Sequence, residues 1–286
     1  MTLTLADPVP APRLSVIIAA RNEEAYIGAC LSALLTQDES AGAVEVIVAA
    51  NGCTDATVAV ARGFTGRFEQ RGWFLQVLDL AQGGKMLALN AADRAARSDI
   101  RVYLDADVRC EPALLGQLLV ALDRPEPRYA TGTLAVAPAR TMVTRAYARI
   151  WTRLPFVKGG AVGAGLFAVN GPGRARWGDW PAIISDDTLA RLHFSPAERV
   201  EVPALYHWPM VEGFANLIRV RRRQDAGVGE VYRFYPALKA NEGKAPVGRA
   251  TLAKLALSDP FGFCVYAFVH LSVRLRPLTQ EWTRGR

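Results

Sequence analysis

The chain has 286 residues, 51% of them hydrophobic and 21% charged, with 34 Lys+Arg against 27 Asp+Glu and a formal net charge of +7. This composition buries a sizeable core as one α/β domain or one domain with an appendage, and it excludes a disordered chain or a coiled coil. The moderate positive balance fits an acidic small-molecule substrate, an anionic membrane surface or nucleic acid, and does not choose among them.

In chain order, residues 1–12 contain prolines, no basic leader and no long apolar core, and read as a short tail rather than a signal peptide. Residues 14–20 read as a buried strand, followed by a helix with Tyr26, Ile27, Cys30, Leu31, Leu34 and Leu35 on one stripe and Asn22 as its N-cap. Strands are expected at 44–50, 74–80 and 100–104, separated by alanine-rich helical segments at 55–62 and 84–97. This alternation predicts right-handed crossovers and a largely parallel central sheet with helices on both faces. Further on, 112–122 predicts a helix, 129–136 a strand and 141–154 a helix. The glycine-rich stretch 159–173 encloses a short strand at 166–169, with no helix opening among its glycines. Asp186-Asp187 starts a short helix, and 211–224 predicts a longer one whose end crowds Arg219, Arg221, Arg222 and Arg223. Asp259-Pro260 starts the last helix and Pro277 ends it. The four cysteines, Cys30, Cys53, Cys110 and Cys264, show no metal-ligand spacing; Cys30 and Cys264 read as buried, reduced thiols of a cytosolic protein.

The most informative motif is Asp105-Ala106-Asp107, placed where the apolar run 100–104 ends. Such a strand delivers two carboxylates to the carboxyl edge of a sheet, where open α/β sheets bind ligands. Two hard oxygen ligands suit Mg²⁺ or Mn²⁺ holding substrate phosphates. Polar groups also follow the earlier strands: Arg21-Asn22-Glu23, Asn51-Gly52-Cys53-Thr54-Asp55 and Gly83-Gly84-Lys85. Glu23, Asn51 and Asp55 suit a base and ribose. Lys85, behind two glycines at a helix start, suits a diphosphate. Taken singly, Asn51-Gly52 is an ordinary turn and Asp55 a helix cap.

The run Ser15 to Glu24, then Asn51 to Asp55, Lys85 to Asn90 and Asp105 to Asp107, resembles glycosyltransferases of family 2, which have the GT-A fold. The resemblance implies a UDP- or GDP-linked sugar as donor, with Mn²⁺ or Mg²⁺ as cofactor. Ala20, Arg21, Glu23, Asn51 and Asp55 would sit near the nucleoside, Lys85 near the phosphates, and Asp105, Ala106 and Asp107 at the metal and diphosphate. The family usually has Asp where this chain has Asn51, and an amide both donates and accepts hydrogen bonds. Residues 184–192 resemble the family's Glu-Asp motif, which makes Asp187 the expected catalytic base and Asp186 the second choice; the alternative is that both cap a helix.

Residues 163–174 resemble the glycine-rich segment near the acceptor, with Gly165 and Asn170 as expected acceptor contacts. Trp177 and Trp180 either stack on a sugar or pack in the core. His207 is either a further metal ligand or a structural histidine. The family's Gln-x-x-Arg-Trp element is represented by Gln224 without the Trp, which argues against processive polysaccharide synthesis. Arg219 to Arg223 neutralise diphosphate, face anionic lipid or form a solvated helix end. The last helix falls short of a membrane span. Either it lies in a membrane interface, anchored by Arg274, Arg276, Trp282 and Arg284, or it packs on the sheet or forms a dimer contact.

The domain reading is a tail at 1–12, a GT-A domain at 13–257 and a C-terminal apolar helix with basic tail at 258–286. Residues 13–110 form its donor half and 111–257 its acceptor half. The expected activity is inverting transfer of a sugar to a hydroxyl of a glycan or lipid-linked acceptor, in the cytoplasm or on the membrane's cytoplasmic face, with no nucleic acid partner. A sugar-nucleotide-forming nucleotidyltransferase would want a glycine- and arginine-rich loop after the first strand, and residues 19–24 are not one. A basic nucleic-acid-binding module would want a basic face with exposed aromatics.

Overall fold

The computed structural model describes residues 11–158, 160–244 and 246–275. In chain order the elements are β1 (Leu14–Ala20), α1 (Ile27–Leu35), β2 (Val44–Asn51), α2 (Thr57–Arg62), α3 (Thr65–Gln70), β3 (Phe74–Leu80), α4 (Lys85–Ala95), β4 (Arg101–Asp105), β5 (Arg109–Cys110), α5 (Leu114–Leu122), β6 (Tyr129–Val136), α6 (Met142–Trp151), β7 (Leu166–Val169), α7 (Gly171–Arg174), α8 (Asp186–Leu192), β8 (Arg199–Trp208), α9 (Gly213–Phe234), α10 (Arg249–Ser258) and α11 (Pro260–Arg274), with short 3₁₀ turns between some of them.

The strands form one eight-stranded sheet in the order β3-β2-β1-β4-β7-β6-β8-β5. β3, β2, β1 and β4 are parallel; β7 runs against both β4 and β6, and β8 runs with β6. The ends of β1, β2, β4, β6 and β8 therefore share one edge. Because β1 and β2 are covered on both faces, they read as continuous apolar runs rather than alternating ones. Leu14, Val16 and Ile18 pack under α1, α3 and α5 on one face, whereas Ile17, Ile47 and Tyr103 pack under α4 and α8 on the other. A third cluster joins α6, α9, α10 and α11 and reaches Val136 and Trp208 at the ends of β6 and β8.

Several local expectations are corrected. Asn22 does not cap α1, which begins at Ile27; Asn22 sits at φ 52° and its side chain accepts from Thr54 N at 2.6 Å. A short helix does open among the glycines, at Gly171, with Asn170 as its cap and Pro172 in its first turn. The helix starting near 211 continues to Phe234, so the arginines 219–223 lie in its middle rather than at its end. Cys264 is exposed on α11, not buried, while Cys30 is buried as expected. The expectations for residues 1–10, Arg276, Pro277, Trp282 and Arg284 lie outside the described residues.

Candidate active site at the carboxyl edge

Four strand-to-helix turns converge on the carboxyl edge of the sheet. At the first two, Asn51 is the fastener: it is buried, and its Nδ2 donates to Ala20 O at 2.9 Å and Ala49 O at 3.3 Å. Its Oδ1 accepts from Gly84 N at 2.9 Å, so one side chain ties the ends of β1 and β2 to the turn before α4. With both amide hydrogens engaged, Asn51 fastens these turns together, in line with the ordinary-turn alternative of the sequence reading. At Asn51→Asp a carboxylate would face two carbonyl oxygens in a buried place, raising its pKa on folding. That variant is therefore expected to lose ~1–3 kcal/mol of stability, with the deficit growing as pH rises above the ordinary carboxylate range; thermal melts across pH check this. Gly52, at φ 56°, allows the same close approach, since a Cβ there would lie 2.8 Å from Gly83 N.

Around this fastener the other polar residues of the first two turns are gathered. The Arg21 guanidinium lies against Gly83, whose added Cβ would meet Cζ at 2.9 Å. Glu23 N donates to Thr57 Oγ1 at 2.6 Å. Asp55 accepts from Thr57 N at 3.0 Å and from Glu24 N at 3.3 Å, so it ties the start of α2 to the segment before α1, while the cap of α2 is Ala56, without a side-chain bond.

Lys85, the first residue of α4, joins the two acidic motifs. Its Nζ is 3.1 Å from Asp105 Oδ1 and 3.0 Å from Asp186 Oδ2. Burial disfavours its charge, yet the two carboxylates outweigh burial and hold the ammonium above its ordinary range. Asp186 is buried at the start of α8, and Asp187 follows it with Oδ1 accepting from Thr188 N at 2.7 Å. Burial, reinforced by Asp186, pushes the Asp187 carboxyl up to about 6. A group with that value is a competent proton acceptor near neutral pH.

Ala106 is buried, which fixes the turn between Asp105 and Asp107. Asp105 N donates to Gly165 O at 2.9 Å, and Gly165, at φ 76°, lies so close to Trp208 that a Cβ would stand 2.6 Å from its Cδ1. Beneath the turn, Cys30 Sγ contacts Asp105 O at 3.8 Å; burial raises its pKa, so it stays a neutral thiol. His207 pairs with Glu111 at 3.2 Å, and no set of three or more His, Cys, Asp or Glu side chains is gathered for a metal among the described residues. Trp208 and Glu111 were missed by sequence reasoning, and Cys30 was read only as a buried thiol. Only Trp208, beside a histidine already noticed, carried any signal.

Asn170, read as an acceptor contact, is bonded to the backbone throughout, and Trp177 and Trp180 take the core alternative. Asn170 is buried and makes four backbone bonds: Nδ2 to Arg124 O and Glu126 O, Oδ1 from Arg128 N and Gly173 N. Trp177 and Trp180 are core residues in edge-on contact at 5.2 Å, and Trp180 Nε1 donates to Asp93 Oδ2 at 2.8 Å. Asn170→Ala should therefore cost about 2–4 kcal/mol of stability and leave the affinity for donor unchanged, which urea unfolding and nucleotide titration measure together. The arginines are also engaged in structure: Arg221 pairs with Asp225 at 3.0 Å and Arg222 donates to Ser272 O at 2.7 Å.

Residues 15–175 match the family described as Glycosyl transferase family 2. The chain belongs to that family. The matched segment holds Asp105 and Asp107 and ends before Asp186 and Asp187. Among curated members, the chain is 29% identical over 151 residues to a beta-monoglucosyldiacylglycerol synthase of Synechocystis sp., covering 52% of this chain and 29% of that protein. It is 29% identical over 127 residues to a dodecaprenyl-phosphate galacturonate synthase of Rhizobium johnstonii, covering 42% and 35%. The aligned part is thus about a third of each of these relatives. The fold is similar to the mannosyltransferase PcManGT of Pyrobaculum calidifontis, solved with GDP-Man and Mn²⁺, at TM-score 0.57 and 22% identity over 96% of this chain and 79% of that one. Mannosyl-3-phosphoglycerate synthase of Rubrobacter xylanophilus is similar at TM-score 0.53 and 16% identity, over 82% and 76%. These neighbours share the α/β GT-A architecture.

Proposed function

We propose that the protein transfers one sugar from a nucleoside diphosphate donor to an acceptor hydroxyl, with inversion at the anomeric carbon. The observation that carries this reading is Lys85 Nζ held between Asp105 and Asp186, in a member of a glycosyltransferase family. Residues 13–110 would supply the donor half and 111–257 the acceptor half. Arg21, Glu23 and Asp55 would contact the nucleoside at the edge, and Lys85 would pass from Asp105 to the diphosphate. Asp187 would take the acceptor proton as the hydroxyl oxygen bonds to the anomeric carbon and the donor bond breaks, the electron pair leaving on the diphosphate.

The donor set fits a hard divalent ion: Asp105 is half-exposed at a strand end, Asp107 follows two residues on, and no third protein ligand is gathered among the described residues. That leaves coordination positions for phosphate oxygens and water, as Mg²⁺ and Mn²⁺ sites commonly do. Held by Asp105 and Asp107, such an ion would neutralise charge on the leaving diphosphate. His207, paired with Glu111, is not needed for this set. The solved neighbour with GDP-Man and Mn²⁺ supports including GDP-sugars in the test.

The test is a panel of UDP- and GDP-sugars, read by Mn²⁺-dependent thermal stabilisation and nucleotide release, with Asp107→Ala beside the wild type. A donor that stabilises the wild type only with Mn²⁺, and leaves Asp107→Ala unmoved, establishes the site and names the sugar. No response to any donor from folded protein overturns the reading.

A further inference from the structure

α11 is apolar on two faces, and only one of them is covered. Val265, Val269 and Val273 are buried against α6 and α9, and Tyr266 stacks on Tyr147 at 5.4 Å. The other face carries Phe261, Cys264, Phe268, Leu271 and Leu275, all exposed and spaced three or four residues apart, which aligns them along the helix. Phe268 is 54% exposed, Leu271 58% and Leu275 83%. Phe214 of α9 packs edge-on against Phe268 at 5.1 Å, which carries the apolar row onto a second helix. A contiguous row of large apolar side chains in water marks a surface that meets something else.

The charge around the stripe indicates what that is. α10 and α11 carry Arg249, Lys254 and Arg274, all exposed, and contain no Asp or Glu. Arg222 of α9 reaches the flank of α11 at Ser272 O. The neighbouring acids are already paired, Asp259 with Arg149 at 2.7 Å and Asp225 with Arg221 at 3.0 Å. A second copy of the chain would bring the same cations against themselves. A bilayer with anionic headgroups complements both the stripe and its rim. No helix among the described residues is long and apolar enough to cross a membrane, so the helix would lie along the surface.

We infer that the exposed face of α11, with Phe214, docks this protein on an anionic lipid surface. The inference stands apart from the sugar-transfer reading but gives that reading a direction. The α6–α9–α11 layer rests on the ends of β6 and β8, the edge that also carries Asp105, and Trp151 of α6 lies 5.8 Å from the ring of Trp208. A lipid-borne acceptor would therefore be presented at the edge where the candidate site opens.

The experiment is flotation of the full chain with vesicles of phosphatidylcholine alone and of phosphatidylcholine with phosphatidylglycerol. It compares the wild type with the triple variant Phe261→Ser, Phe268→Ser and Leu271→Ser and the double variant Lys254→Glu and Arg274→Glu. The wild type should bind the anionic vesicles at least ~10-fold better than the neutral ones, and the triple variant should lose at least ~10-fold of that binding with its thermal melt unchanged. The double variant should lose the preference for anionic lipid. Absence of wild-type binding, or a triple variant that binds as well as the wild type, overturns the inference. So does sedimentation showing a wild-type dimer that the triple variant converts to monomer. Mn²⁺-dependent donor stabilisation, measured on the same preparations, reports on the catalytic reading separately.

Discussion

Replacing Asp187 by Asn is expected to lower kcat by ~10²–10⁴-fold, leave donor affinity unchanged, and make the folded protein more stable. The two effects have one cause. The carboxyl is pushed from 3.8 up to about 6 by burial and by Asp186. A carboxyl whose pKa rises on folding carries a charge that the folded state disfavours, so its contribution worsens as pH climbs from 3.8 to about 6 and is constant above that. The neutral amide keeps the bond from Thr188 N and removes this cost, a gain of ~1–3 kcal/mol at neutral pH. Thermal melts of both proteins across that interval read the stability half. The activity half should also show in the wild type, whose kcat/KM should fall on the acid side of about 6 as the base takes up its proton. A variant that loses activity and stability together would mean that Asp187 only caps α8.

Lys85→Met is expected to lower kcat by ~10²–10³-fold and to raise the KM for donor. The lysine is the cation between Asp105 and Asp186, and its removal leaves Asp186, with a side chain 8% exposed, facing Asp105 without compensation. Stability should fall by ~1–3 kcal/mol, less than for a fully buried pair because Lys85 and Asp105 are 38% and 39% exposed. Lys85→Arg keeps the charge but spreads it over a wider fork, so it should restore stability more than turnover. Turnover near the wild-type rate in Lys85→Met would reduce the lysine to a structural clamp.

The amino-terminal half of the sheet was legible because its signals are local. β1 to β4 are apolar runs between helix-forming segments, and each observed strand lies within a residue of its expected place. β8 was not read, although Val200, Val202, Ala204, Tyr206 and Trp208 alternate along it. Pro203 interrupts the alternation, and a proline argues against an internal strand. The sheet accommodates it with a register shift between Gly132 and Thr133 of β6. Among the candidate residues, Lys85, Asp105 and Asp186 do come together, because each stands at the carboxyl end of a strand or the start of a helix. Asn51, Asn170, Trp177 and Trp180 show why the rest was not legible. A polar or aromatic residue in a motif looks the same in sequence whether it faces a ligand or holds a loop, and only burial and bond partners separate the two.

The pairing of β5 with β8 has a consequence for how the molecule is made. Arg109 and Cys110 follow the Asp105–Asp107 turn directly, and they bond to His207 and Tyr206. Glu111 and His207 lie 96 residues apart in the chain. A polypeptide emerging from the ribosome thus presents both acidic residues long before the strand that fastens them exists, and domains settle from the amino end as they appear. Competence to hold a donor should accordingly arrive late in synthesis and abruptly, when residues 199–208 dock, rather than accumulating with length.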